Sequence, residues 1–247
     1  LFPYTTLFRS FVSDILPDIA EIAYANLPQY PSICVSLLIA VFGFTDYGEE
    51  GDFYMFMVKT SMTSPKYDAI IDAPELYTGL MAMYAECGGN VEVVSLLHQI
   101  VGRLTIRSDT ESKVRVLRCA EELLRNQGAL GKRDVHHAVC LLMSKIMTAG
   151  VFAIDELKEE FVAALAGFTV SSFRAHGWAP HSLHYLIQIW GSRQRNWQKR
   201  VKPYAGEILT AYLQARLGAA GDEGGAVQKQ FGLETDAVYH LMSVDHK

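Results

Sequence analysis

Apolar positions along this chain recur with the period of a helix. Ala205, Ile208, Leu209, Tyr212 and Leu213 fall at i, i+3, i+4, i+7 and i+8, which is one helical face. Leu157, Phe161, Ala164, Leu165 and Phe168 repeat the pattern, and Val114, Leu117, Ala120, Leu123 and Leu124 form a third face. On that third segment Glu111 and Arg115, and again Glu121 and Arg125, stand at i, i+4 in the acid-first order that supports a helix. Pro203 is expected near the start of its helix, where a missing N–H costs nothing, and Gly218 at its left-handed C-cap. Asp155 is placed to cap the helix of Phe161, with Glu156 at the positive end of its dipole.

Helix breakers divide the rest of the chain into similar pieces. They are Pro28 and Pro31, Gly48 and Gly51, Gly88-Gly89, Ser108-Asp109, Gly128 to Gly131, Gly150, Gly177 to Pro180, and Gly218 to Gly225. The segments between them predict helices over 11–26, 31–46, 53–62, 67–86, 91–106, 110–127, 133–149, 155–175, 181–195, 203–217 and 226–243. No segment reads as a strand, and Phe53 to Val58 is the least regular of the helical ones. Two such helices make a unit of about 40–47 residues, the period of HEAT and armadillo repeats. A single pair cannot bury both of its apolar faces, whereas stacked pairs bury them against their neighbours. The expected fold is therefore all-α: a right-handed α-solenoid of HEAT-like helix pairs, with about 10–11 helices over 11–247. A compact globular all-α domain is the competing architecture.

Composition narrows this picture. Of the 247 residues, 50% are hydrophobic and 20% charged, enough apolar side chain for a buried core. The net charge of −5 gives no strong electrostatic reason to bind nucleic acid. Partners with basic or mixed surfaces fit better. The longest apolar run, Ile33 to Phe44, falls well short of the ~20 residues that a membrane span needs, and reads as a core helix. Residues 1–10, Leu1-Phe-Pro-Tyr-Thr-Thr-Leu-Phe-Arg-Ser10, resemble one translated frame of a sequencing adapter. They are set aside from the fold, and the remainder is expected to be a fragment of a longer chain.

Candidate chemistry is sparse. Cys34, Cys87, Cys119 and Cys140 are widely spaced and sit in or beside apolar runs, as buried reduced thiols would. His181 and His184 are i, i+3 and, with His176, form the best metal candidate. They lack a neighbouring carboxylate or Cys, so no metal is expected. His136 and His137 point to different sides of a helix. Gly88-Gly89 follows a helix instead of opening one, and reads as a C-cap and turn. Glu121-Glu122 and Glu159-Glu160 diverge by about 100° around their helices, so neither is a catalytic dyad. No nucleophile elbow, phosphate-binding loop or dinucleotide fingerprint occurs. The basic stretch Trp197-Gln-Lys-Arg-Val-Lys202 reads as a solvated turn between helices, and Gly218 to Gly225 as a mobile connector. Trp178, Tyr185 and Trp190 read as packing between repeats, with Leu183, Leu186 and Ile187 on the same face as Trp190. The absence of a tight polar cluster argues against an enzyme. No catalytic, cofactor or metal residue is assigned.

One stretch carries a family resemblance. Gly167-Phe-Thr-Val-Ser-Ser-Phe173, followed by Trp178-Ala-Pro-His-Ser-Leu-His-Tyr-Leu-Ile-Gln-Ile-Trp190, resembles nuclear transport receptors of the importin-β superfamily. Within these it is most similar to the exportin-seven group, which includes Ran-binding proteins sixteen and seventeen. Gly167 and His181 each stand where the family pattern has Asn. Pro74 to Tyr84, Val93 to Leu104, Pro203 to Leu217 and Val227 to Gln230 resemble flanking parts in the same order, so the likeness covers 74–230. The resemblance implies a HEAT-repeat exportin that binds Ran-GTP and protein cargo. Such a receptor meets nuclear pore proteins and shuttles between nucleus and cytoplasm, with no cofactor, no nucleic acid and no membrane insertion. It transfers no Ran-contact or cargo-contact residue to a numbered position here. A HEAT-repeat scaffold of another protein assembly is the alternative.

Overall fold

A computed structural model describes residues 15–43, 64–104, 110–148, 158–176 and 195–219. The fold is all-α, and no strand occurs among the described residues. The helices are α1 (Leu16–Ala25), α2 (Pro31–Gly43), α3 (Pro65–Asp72), α4 (Pro74–Glu86) and α5 (Val91–Leu104). They continue with α6 (Thr110–Arg125), α7 (Gln127–Leu130), α8 (Arg133–Thr148), α9 (Glu159–His176) and α10 (Arg195–Ala219). The chain forms two compact units, 1–119 and 120–247, with the division falling inside α6. Residues 1–10, the 53–62 and 226–243 helices, the 181–195 helix up to residue 194, Asp155 and Leu157 lie outside the described residues.

Local chemistry explains the helix ends. Ser64 caps α3 by accepting from the Lys66 N–H, and Asn90 caps α5 by accepting from the Glu92 and Val93 N–H groups at 2.8 and 3.3 Å. At the end of α4, Gly88 and Gly89 take φ of 57° and 102°. The Gly89 N–H donates to the Tyr84 carbonyl at 2.8 Å and the Gly88 N–H to Ala85 at 3.0 Å, a Schellman closure. The expected C-cap and turn at this position is therefore observed.

Three boundaries depart from expectation. The single helix over 67–86 is two helices, because Pro74 excludes the helical conformation at Ala73, which is extended (φ −71°, ψ 117°). The glycines of 128–131 lie in and against the short helix α7, capped by Asn126, whose side chain accepts from the Ala129 N–H. The helix expected over 203–217 begins at Arg195, so Pro203 lies in its interior and leaves one backbone carbonyl without its helical donor. The basic stretch 197–202 is thus helical and not a turn, and Gly218 lies within the helix and not at its C-cap.

In the first unit α1 packs against α2 and α3, α2 against α5, and α4 against α5. Its core includes Leu38, Phe42, Tyr67, Leu76, Leu80, Tyr84, Leu97 and Ile100. Lys66 of α3 reaches both Asp18 and Glu21 of α1 at 2.6 Å. Ser112 donates to the Asp72 carboxylate at 2.7 Å and Arg115 to the Asp72 carbonyl at 2.9 Å, fixing the rotation of α6. Within this unit α6 buries Ser112, Val116 and Cys119, while Val114 and Leu117 are half-buried; its Ala120, Leu123 and Leu124 are buried in the second unit. The expected i, i+4 pairs both form, Glu111–Arg115 at 2.8 Å in this unit and Glu121–Arg125 at 2.6 Å in the second.

In the second unit α9 packs against α10 and α7, and α7 against α8. Helix α9 is buried nearly all round, with Phe161, Val162, Leu165, Ala166, Phe168, Thr169, Val170 and Phe173 in the core. On α10 the core side is Val201, Ile208, Ala211 and Tyr212, with Leu213 49% exposed, a rotation away from the expected Ala205–Leu213 face. No helix among the described residues is long and apolar enough to cross a membrane.

Candidate functional site

The arrangement that most resembles chemistry lies inside the second unit. His136 of α8 is buried and its Nε2 stands 2.8 Å from the Ser172 hydroxyl of α9. The Ser172 hydroxyl donates its proton to the Phe168 carbonyl at 2.6 Å, so it accepts from His136 Nε2–H. That assignment leaves His136 Nδ1 as an acceptor facing the Cys140 thiol at 3.9 Å. His176 stacks beside the His136 ring, with centroids 4.4 Å apart, and directs Nε2 at the Leu130 carbonyl at 3.1 Å. The sequence expectation of no tight polar cluster is thus corrected. The readable signal was the i, i+4 spacing of His136 and Cys140 on one helix, whereas Ser172 comes from a different helix.

A Cys–His–Ser array invites comparison with a nucleophile and its base, but the electrostatics oppose that role. Burial, then the neighbouring His176 and His137, lowers the His136 pKa to about 4, so the ring is neutral at pH 7. Burial pushes the Cys140 thiol up to about 12, which suppresses the thiolate. Cys140, His136 and Ser172 are all buried, which denies a substrate access. The array can hold α8 and α9 in register through satisfied hydrogen bonds.

The other candidates disperse. Cys34, Cys119 and Cys140 are buried as expected, but Cys87 is exposed, since it occupies the C-cap of α4 ahead of the two glycines. His137 is exposed and His136 buried, as their helical divergence requires. His181 and His184 lie outside the described residues, as do Trp178, Tyr185, Trp190, Leu183, Leu186 and Ile187. Among the described residues no group of three His, Cys, Asp or Glu side chains is arranged to hold a metal ion. In the first unit, Arg103 is buried with its guanidinium 4.7 Å from the Phe42 ring centre and 4.3 Å from that of Tyr67. Burial pushes the Tyr67 phenol up to about 12 against the opposing effect of Arg103.

The first unit also carries a groove of about 460 Å³ where the turn between α1 and α2 meets α4. Tyr24, Leu27, Pro31, Gly79 and Met83 contribute to its apolar walls. Glu75 and Glu86 are the charged residues among its lining. Burial and, secondarily, the Glu75 carboxylate raise the Tyr24 phenol pKa. Elsewhere in this unit Ile33 and Leu37 are 64% and 42% exposed, so the apolar run of α2 is buried on one face only. Neither surface was legible in the sequence, because the chain pattern shows that a residue is apolar but not what covers it.

The described part of the stretch that carries the family resemblance, 167–173, is mostly core, and Trp178 to Trp190 lies outside the described residues. Phe168, Thr169, Val170, Ser172 and Phe173 are all buried. At Gly167 an added Cβ would meet nothing within 4 Å, so the family's Asn could stand there without a clash. This part of the motif therefore packs α9 into the core.

Comparison with known proteins agrees with this resemblance. The chain is similar to Exportin-7-A of Xenopus laevis, with 27% identity over 107 residues, covering 39% of this chain and 10% of that protein. It is 25% identical to Ran-binding protein 17 of Mus musculus over 112 residues, covering 41% of this chain and 10% of the relative. Ran-binding protein 16 of Drosophila melanogaster is 27% identical over 109 residues, 40% of this chain and 10% of that protein. The chain thus resembles part of the exportin-seven and Ran-binding group, and the matched region spans about a tenth of each curated relative. No family model and no solved structure matches the chain. The relatives are transport and Ran-binding proteins by name, and none is named as an enzyme.

Proposed function

We propose that this chain is a segment of a nuclear transport receptor, an exportin that carries protein cargo through the nuclear pore with Ran-GTP. The observation that carries the reading is the likeness to Exportin-7 and Ran-binding proteins 16 and 17. The all-α architecture of packed neighbouring helices supports it, since stacked helix pairs supply a long binding surface without any catalytic centre. In this reading the helix pairs continue as a right-handed HEAT-like solenoid, and the receptor shuttles between nucleus and cytoplasm.

The mechanism is linkage. Ran-GTP and cargo bind the same receptor with positive coupling, so each raises the affinity for the other by the same factor. GTP hydrolysis on Ran removes one ligand and thereby weakens the other. The receptor performs no bond chemistry, and its buried His136–Ser172 array serves packing.

The test is a pull-down with the full-length parent protein, comparing Ran loaded with GTP and with GDP. Selective retention of the GTP form, strengthened by cargo, is the expected result. Equal or absent retention of both forms would replace this reading with a HEAT-repeat scaffold of another assembly.

A further inference from the structure

We infer that the groove between the α1–α2 turn and α4 is a docking site for an extended peptide segment with an apolar centre and a basic residue at each end. The floor is apolar, with Leu27, Met83 and the ring of Tyr24 at hand, so it favours aliphatic side chains that would otherwise meet water. Its charged lining is of one sign, Glu75 at the start of α4 and Glu86 at its end. Along the helix axis these two lie roughly 16 Å apart at ~1.5 Å per residue. An extended segment rises ~3.3 Å per residue, so lysines four to six positions apart reach both carboxylates. Alternate residues of such a segment point the same way, which directs the intervening aliphatic side chains to the floor.

Gly79 sits midway along α4 in the same groove. A Cβ added there would meet only Leu27 Cδ2, at 4.0 Å, within ordinary contact distance. The glycine is therefore not required for packing, and its missing side chain keeps the groove open. A longer side chain at this position would occupy the floor without disturbing the core beneath.

The inference stands on the groove alone: failure of Ran-GTP binding by the full-length receptor leaves it untouched, and its own failure leaves the transport reading untouched. The test uses the full 247-residue chain and a fluorescein-labelled peptide, acetyl-Lys-Ser-Leu-Ser-Leu-Ser-Lys-amide, read by anisotropy. A control peptide carries Glu in place of both Lys. The basic peptide is expected to bind at least tenfold more tightly than the acidic one, and to weaken as salt screens the carboxylates. Glu75→Gln with Glu86→Gln should cut its affinity at least fivefold and flatten the salt dependence. Gly79→Met should block binding while circular dichroism and the melting temperature stay close to those of the parent chain. If Gly79→Met fails to fold, Gly79→Gln and Ala82→Gln serve the same purpose. Equal binding of the two peptides, no binding of either, or indifference to both sets of substitutions would overturn the site. So would self-association of the chain that Gly79→Met abolishes, which would make a second copy the occupant.

Discussion

Acidification tests the buried histidine of the second unit. His136 has a folded pKa of about 4 against an ordinary 6.5, because burial and the adjacent His176 and His137 rings disfavour its cation. In the unfolded chain the same imidazole takes a proton near pH 6.5. Between these values the unfolded state binds more protons than the folded one, so stability falls as pH drops from about 6.5 toward 4. The full displacement corresponds to a loss on the order of 3–3.5 kcal/mol at the acid end, and little of it is felt above pH 7. Ser172→Ala perturbs the same array differently. It removes the acceptor at 2.8 Å from Nε2 and leaves a buried donor unsatisfied, a cost of about 1–3 kcal/mol at neutral pH. His136→Phe removes the titrating group, while Ser172 keeps its bond to the Phe168 carbonyl. The assays are an NMR titration of the His136 ring and urea unfolding followed at pH 7, 6 and 5. The ring should stay neutral to pH 5, and the pH slope of stability should be smaller in His136→Phe. A His136 titration near 6.5, or the same slope in His136→Phe, would refute the buried assignment.

Four further outcomes are expected. Gly88→Ala forces a Cβ into a left-handed position (φ 57°) and should lower stability by about 1–2 kcal/mol in urea unfolding. Arg103→Ala removes a buried side chain stacked on Phe42 and Tyr67 and should cost about 2–4 kcal/mol, with Arg103→Lys recovering only part because the ammonium has no plane to stack. Trp190→Ala tests the sequence-based expectation that this side chain packs between repeats: a cost of about 3–5 kcal/mol with hydrogen exchange speeded most over 155–217 is the expected result, and unchanged stability with lost partner binding would instead make Trp178, Tyr185 and Trp190 a recognition surface. Elemental analysis of the purified chain should find no stoichiometric zinc, and one zinc per chain would restore the His176, His181 and His184 site, with His176 leaving the Leu130 carbonyl.

The sequence by itself determined what depends on neighbours along the chain. Helical period, the Gly88-Gly89 closure and the Glu111–Arg115 and Glu121–Arg125 pairs are all set within a few residues, so they were readable in advance. The family likeness was readable too, because it rests on runs of consecutive residues, of which 167–173 pack α9. Ala73-Pro74 was equally local, and the break there follows from proline sterics that a periodicity search passes over.

Tertiary structure decided which side of each helix faces inward. On α6 an amphipathic pattern allowed Val114 and Leu117 a central place, yet the bonds from Ser112 and Arg115 to Asp72 turn Val116 and Cys119 to the core. On α2 an almost continuous apolar run left the choice of face open, and contact with α1 and α5 buried Leu38 and Phe42 while leaving Ile33 outside. His136 and Ser172 are 36 positions apart, and the groove joins the α1–α2 turn to α4. Such juxtapositions arise when separate helices pack, and local periodicity carries no information about the partner that packing brings to a side chain.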